Sequence, residues 1–325
     1  MKYAFILAEL MAYPLSVVCR VLGVTQSGFH AWRIRTPSAR DRERERLRTD
    51  IRRVFEDHRG RYGAPRLYRV LRAQHGYTGS LNRIKALMRT MGLIAKAGRK
   101  FKVTTDSAHR LPVAPNLLEQ DFSCDTHAES TSHAQAPNQV WLSDITYLWT
   151  REGWLYVCAV LDLFTRRIVG WAMAEHMTRE LVLEAMQMAK ITKKPAPGLL
   201  FHSDRGSQYA SYEVRNWLTS QAMRQSMSGT GNCYDNAPME SFWHSLKVEE
   251  THGQDFATRA EARHCVFDYI ERWYNTTRLH SSLDYKSPNQ FEREYNAKLT
   301  RAANEDLPAS SSSNSQSARL SKRAA

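Results

Sequence analysis

Residues 138–174 read NQVWLSDITYLWTREGWLYVCAVLDLFTRRIVGWAMA. Three runs rich in Val, Ile, Tyr and Trp stand out: VWLSDITYLW, GWLYVCAVLDLFT and RRIVGWAM. Gly153 and the Thr165–Arg167 stretch separate them, which predicts three successive strands. Downstream the pattern alternates. Residues 178–192 predict a helix with Leu181, Ala185 and Met188 inward, and GLLFHSDRG (198–206) predicts a short strand ending in polar residues. A helix over 209–222, a strand near 224–228 and a Gly-rich loop, SGTGNCYDNA, follow. A helix from near Pro238 through Glu249 and a longer amphipathic one over 258–276 (Phe267, Ile270, Trp273, Tyr274) complete the series. Three strands followed by alternating helix and strand predict a mixed α/β sheet domain.

The stretch before this domain is of another kind. The 325 residues carry a net charge of +13. Residues 1–110 hold 24 Lys and Arg against 8 Asp and Glu, and the rest of the chain is slightly acidic. A basic front joined to a near-neutral body predicts a polyanion-binding module. Residues 13–35 give a helix (Leu15, Val18, Leu22), Gly23 as punctuation, Thr25 as N-cap, and a second helix burying Phe29 and Trp32. That is a helix-turn-helix pattern. Residues 38–59 predict a charged helix with Leu47, Ile51, Val54 and Phe55 on its apolar side. Residues 61–94 repeat the helix pair across Gly76 and Gly79, with Ser80 as N-cap. Arg66, Arg69 and Arg83 decorate that pair as candidate phosphate contacts.

Composition sets the remaining bounds. Hydrophobic residues are 42% and charged residues 24%, which excludes full-length disorder, collagen-like repetition and a disulfide scaffold. Five scattered cysteines point to a reducing compartment. MKYAFILAELMAYPL reads as a short amphipathic helix because Glu9 interrupts its apolar run. No membrane-spanning run is found. Residues 95–137 read as a linker in which Cys124, His127 and His133 lie together by coincidence, since the paired ligands of a zinc site are missing. The Ser-rich tail reads as disordered. The expected organisation is a basic helical region over 1–100, a linker over 101–137, a catalytic core over 138–298 and a tail over 299–325.

Three carboxylates stand out. Asp144 interrupts an apolar strand, where a charge is costly without a partner. Asp204 sits where a strand ends, on the side where α/β sheets place ligands. Glu240 opens a helix after the Gly-rich loop. If they converge, three acids repel one another, and a divalent cation removes that repulsion. Oxygen-only ligands favour Mg²⁺ or Mn²⁺. Such a site suits two-metal phosphoryl transfer. His244 and Lys247, four and seven residues after Glu240, are candidate DNA contacts on the same helix.

The motifs W-x-x-D-I-T-Y (141–147), H-S-D-R-G-S-Q-Y (202–209) and Y-D-N-A-P-M-E-S-F-W-H-S-L-K-x-E (234–249) resemble those of DDE transposases of the insertion-sequence-three (IS-three) family. More narrowly they resemble the product of the second reading frame, OrfB. Asp204 and Glu240 are separated by 35 intervening residues and Asp144 and Asp204 by 59, as in that family. Y-N-T-T-R-L-H-S-S-L-D-Y-K-S-P (274–288) resembles the end of its integrase core, and the resemblance spans about residues 3–295. It implies an RNase H-like core with Asp144 on the central first strand, Asp204 after the adjacent fourth strand and Glu240 from a helix beyond the sheet, all three as metal ligands. It implies Mg²⁺-dependent cleavage at element ends and strand transfer by the freed 3′-hydroxyl, without a covalent protein–DNA intermediate. Lys247 is then a DNA contact near the reacting end, and Asp162 is structural. The implied partners are DNA, further copies of the chain and the product of the first frame, OrfA; the implied location is the cytoplasm, on the nucleoid. The start at Met-Lys-Tyr matches the usual OrfB start, and a heptad zipper is missing. The alternative function is therefore an end-binding regulator or partial transposase that needs OrfA.

Overall fold

The structure is a computed structural model that describes residues 2–10, 12–96, 111–124, 134–229 and 233–305. It divides into two compact units, Met1–Ala95 and Lys96–Ala325.

The first unit is helical. α1 (Lys2–Glu9), α2 (Leu15–Val21) and α3 (Gln26–Ile34) enclose a small core of Ile6, Val18, Cys19 and Phe29. Thr25 caps α3 by accepting from the Gly28 amide, so the first helix-turn-helix pair forms as the pattern predicts. α4 (Ala39–Asp57) starts in a capping box between Ser38 and Asp41. The box engages Asp41 with its own helix start, and Glu43 pairs with Arg83. α5 (Ala64–His75) ends at Gly76, whose φ of 63° is the left-handed cap that glycine adopts without strain. α6 (Leu81–Thr90) is capped by Ser80. Leu47, Ile51, Val54, Leu67, Val70, Leu71, Ile84, Leu87 and Met88 are buried along α4, α5 and α6.

The second unit is a five-stranded sheet in the order β3-β2-β1-β4-β5. β1 (Val140–Thr150), β2 (Gly153–Asp162) and β3 (Ile168–Ala174) form an antiparallel meander. β4 (Leu200–Ser203) and β5 (Arg224–Met227) continue it in parallel. Side chains alternate between two layers, as strand geometry requires. Leu155, Val157, Ala159 and Leu161 of β2 face one core, and Cys158 and Val160 face the other. The second core is closed by α7 (Arg179–Lys193) and α8 (Tyr212–Ser220). α7 lies so close to β3 that a Cβ on Gly170 would come within 2.2 Å of the Ala185 carbonyl oxygen. The first core is closed by α9 (Ala237–Leu246) and α10 (Arg259–Phe267).

The structure departs from the sequence reading in five places. Trp32, predicted to be buried with Phe29 on α3, is 37% exposed. α8 starts three residues later than predicted, because Ser211 caps it. The two helices predicted over 238–249 and 258–276 each change pitch, with π-helical segments at Lys247–Thr251 and Asp268–Tyr274. Described residues of the expected linker pack onto the sheet domain. Leu118 and Ala134 are fully buried in its core, and the Leu117 amide donates to the Ser226 hydroxyl. Finally, α11 (Pro288–Glu305) runs seven residues into the expected tail. Residues 298–305, KLTRAANE, contain no proline or glycine to stop it. His127, His133 and the Ser-rich stretch lie outside the described residues. No helix among the described residues is long and apolar enough to cross a membrane.

Candidate active site

Strand register builds the site. β1 pairs in parallel with β4 through Val140↔Leu200 to Ser143↔Ser203. The next residue on each strand is an aspartate, so Asp144 and Asp204 emerge side by side where neighbouring strands lie about 4.8 Å apart. Asp144 is held at both oxygens. Oδ1 accepts from the Ile145 amide at 2.8 Å, and Oδ2 accepts from the Trp243 indole at 3.1 Å. Loss of water, and then the neighbouring charge of Asp204, push its pKa up to about 8 against the pull of those two donors, with Glu240 adding a smaller upward push. Asp204 caps its own turn by accepting from the Gly206 amide at 2.9 Å. A Cβ on Gly206 would sit 3.1 Å from Asp204 Oδ1, so glycine lets that turn close.

α9 brings the third acid. The Asn236 side-chain amide donates to the Ser143 carbonyl at 3.1 Å, fixing the helix start beside Asp144. Asp235 gathers the approach to it, accepting from the Gly229 amide, Asn116 and Gln120. Glu240 stands exposed in the first turn of α9, and desolvation raises its carboxyl above the ordinary value. Trp243, one turn on, links that helix to Asp144. The first two acids are thus adjacent, and Glu240 is a weaker electrostatic neighbour of Asp144. Among the described residues no three His, Cys, Asp or Glu side chains form a ready-made metal cage.

Lys247 stands where α9 gives way to the π-helical turn, a type of irregularity that often marks functional positions. Its ammonium lies 5.6 Å from the centre of the Tyr147 ring. Burial lowers its pKa, and the charge of Asp144 opposes that shift. His244 is exposed on α9. The turn carrying Lys247 is pinned from below. Arg278 donates from Nε to both Glu249 oxygens at 2.9 and 3.0 Å and from a terminal nitrogen to the Ser245 hydroxyl at 2.8 Å. Tyr269 and Trp273 also donate to Glu249. This clamp escaped sequence reasoning, although the closing motif contains Arg278.

The candidate contacts on the first unit differ from one another. Arg69 is exposed, Arg66 stacks at 5.5 Å on Tyr62, and Arg83 is bonded to Glu43 at 2.9 Å. Arg83 is therefore less available to a phosphate than its position on α6 implied. Asp162 is buried, accepting from the Asn138 amide at 2.8 Å and from Thr165, as expected of a structural aspartate. His202, on β4 beside the acids, is buried between Ser226 and Ser228, and burial lowers its pKa to about 4.

Models of the integrase core domain match residues 134–233 and 240–295, and an HTH-like domain matches residues 42–101. The transposase InsF of insertion sequence IS3A from Escherichia coli (strain K12) is 45% identical over 294 residues, covering 90% of this chain and 98% of that protein. The chain belongs to the IS3 family of transposases. The uncharacterized 31 kDa protein of insertion element IS600 from Shigella sonnei is 44% identical over 278 residues, covering 86% and 98% of the two chains. Among solved structures, the simian T-cell lymphotropic virus intasome (TM-score 0.40, 13% identity, 81% and 77% covered) and the HTLV-2 integrase catalytic core domain (TM-score 0.34, 15% identity, 48% and 95% covered) are similar. This transposase thus has an HTH-like region ahead of an integrase core, and its activity is that of a DDE polynucleotidyl transferase.

Proposed function

We propose that this transposase cuts DNA at the ends of its insertion sequence and joins the freed 3′-hydroxyl to a target. The observation that carries the reading is the register that sets Asp144 beside Asp204. Two adjacent carboxylates, one with its pKa pushed to about 8, form a seat that a hard cation would stabilise. The donor set is oxygen only and fits Mg²⁺, with Mn²⁺ as substitute. Asp144 and Asp204 would hold the metal, and Glu240 would complete the set from α9. The bound metal supplies activation of a water or 3′-hydroxyl and neutralises charge on the leaving oxygen. The protein's own groups do the rest. The Trp243 indole and the Ile145 amide orient Asp144, and the Gly206 amide orients Asp204. Lys247 and His244 offer cationic or polar contacts to a phosphate beside the acids. In the basic unit, Arg66 and Arg69 grip the flanking duplex, with Arg83 contributing after release from Glu43.

Pairing of two ends calls for at least two copies on DNA, with OrfA as a further partner. The nucleoid in the cytoplasm is the matching location. The test is joining of a labelled element end to a plasmid in Mg²⁺, with an intact or a 3′-deoxy terminus. Joining of the intact end alone supports the reading. Equal joining of both ends, or a protein–DNA adduct, would overturn it.

A further inference from the structure

The hairpin of β1 and β2 carries an aromatic ladder that packing alone does not explain. Tyr147 and Trp149 of β1 lie opposite Tyr156 and Trp154 of β2. The rings are in contact along the strip: Tyr147 to Tyr156 at 6.2 Å, Tyr147 to Trp154 at 4.9 Å and Trp149 to Trp154 at 4.9 Å between centres. The opposite side of the same hairpin, with Thr146, Leu148, Thr150, Leu155 and Val157, is buried. The ladder side opens to solvent toward the tip, where Trp149 is 58% and Trp154 42% exposed. Cross-strand ring contacts support a hairpin, yet two tryptophans at its wet end leave about half of their surface in water.

We propose that this ladder is a stacking platform for unpaired bases of the DNA strand whose end lies in the active site. The proposal rests on the function proposed above and extends it to a part of the substrate. Continuity with the acids carries it. Asp144 lies on β1 itself, and Tyr147 and Trp149, three and five residues on, project from the other side of that strand about 10 Å and 17 Å along it, so a DNA strand leaving the carboxylate reaches the ladder over the β1 edge. At 3.4 Å per stacked base, that interval matches about three to five nucleotides. Lys247 bridges the two features, with its ammonium over the Tyr147 ring and its charge felt by Asp144. β4 pairs with β1 only as far as Ser143, so the β1 edge beyond Asp144 faces no named strand until Phe256 meets Thr150.

Charge near the tip argues for bases rather than a duplex. Arg151 pairs with Asp255, and Arg259 pairs with Glu175 and donates from its backbone amide to the Glu152 carboxylate. These cations and anions offset one another, so the tip offers ring faces with little net pull on phosphates. A ring stacks only on a base whose own face is free, which stacking inside a duplex covers and strand separation exposes.

The experiment measures binding of the full chain in EDTA to an element-end duplex carrying an unpaired extension about five nucleotides long, and to its blunt form. Wild type is compared with Trp149→Ala/Trp154→Ala and Trp149→Phe/Trp154→Phe, with melting temperature and sedimentation recorded for each. The expected result is about ten-fold weaker binding of the extended DNA by the alanine variant, unchanged binding of blunt DNA, and near wild-type binding by the phenylalanine variant. Equal wild-type affinity for both DNAs, or equal loss on both, overturns the proposal. A shift from dimer to monomer with DNA binding intact also overturns it and assigns the ladder to a second copy. Binding in EDTA does not depend on cleavage. A failure of the catalytic reading therefore leaves this result standing, and the reverse holds too.

Discussion

Arg278→Met should unfold this transposase's catalytic unit more easily than its surface substitutions do. The Arg278 and Glu249 side chains are 8% and 6% exposed, and a terminal guanidinium nitrogen lies 2.8 Å from Glu249 Oε1. Methionine fills much of the space but removes the cation opposite the Glu249 carboxylate, leaving it to neutral donors such as Tyr269 and Trp273. Stranding one partner of a buried pair costs about 3–5 kcal/mol. For a unit of this size that lowers the melting temperature by roughly 6–20 °C. Adding Glu249→Gln removes the stranded charge, and the double variant should recover most of the loss, because an apolar or neutral replacement of a whole buried pair is often nearly neutral. Thermal unfolding of both single variants and the double gives the coupling directly. Additive losses would refute the reasoning. The clamp also holds Ser245 and the Lys247 turn, so Arg278→Met should cut DNA slowly even where it remains folded, and the double variant should regain stability more than activity.

Three further outcomes follow. Trp243→Phe keeps an aromatic ring at the first core but deletes the donor to Asp144 Oδ2, at a cost of about 0.5–1.5 kcal/mol; Mg²⁺ titration followed by thermal shift should show weakened metal binding, and an unchanged titration would count against the role given to Trp243. Gly170→Ala drives a methyl into the Ala185 carbonyl and should cost about 1–3 kcal/mol in urea unfolding, with no loss meaning that α7 can shift freely. Asp162 has its pKa raised by burial from 3.8 to about 6, so the folded chain binds its proton more tightly than the unfolded chain. Its stabilising share is complete below about pH 4 and is lost as pH rises through about 6, by roughly 3 kcal/mol. Asp162→Asn should flatten that part of the stability profile, and an unchanged slope would contradict the shift.

Much of this was legible in the sequence because each signal was local. The apolar runs of β1 to β3, the caps at Thr25 and Ser80 and the spacing of Asp144, Asp204 and Glu240 are properties of neighbouring residues. What escaped was tertiary. Pitch changes at Lys247 and Asp268 leave no periodic trace, since apolar positions continue through them. Leu118 is buried against the sheet from a segment whose prolines read as a linker. The bond between Arg83 and Glu43 joins helices 40 residues apart, so a basic helix face alone could not reveal it. Glu240 illustrates the same limit: its spacing pointed to convergence, whereas its distance from the paired aspartates depends on how α9 docks.

The central claim is that Asp144 and Asp204 form the seat of the chemistry. The most direct measurement is cleavage of labelled element-end DNA in Mg²⁺ by wild type and by Asp204→Asn, with the first-frame product supplied to both reactions. The account predicts a nick at the element end with wild type and none with Asp204→Asn, while both proteins bind the DNA with equal affinity. Cleavage of equal rate by the two proteins would contradict it.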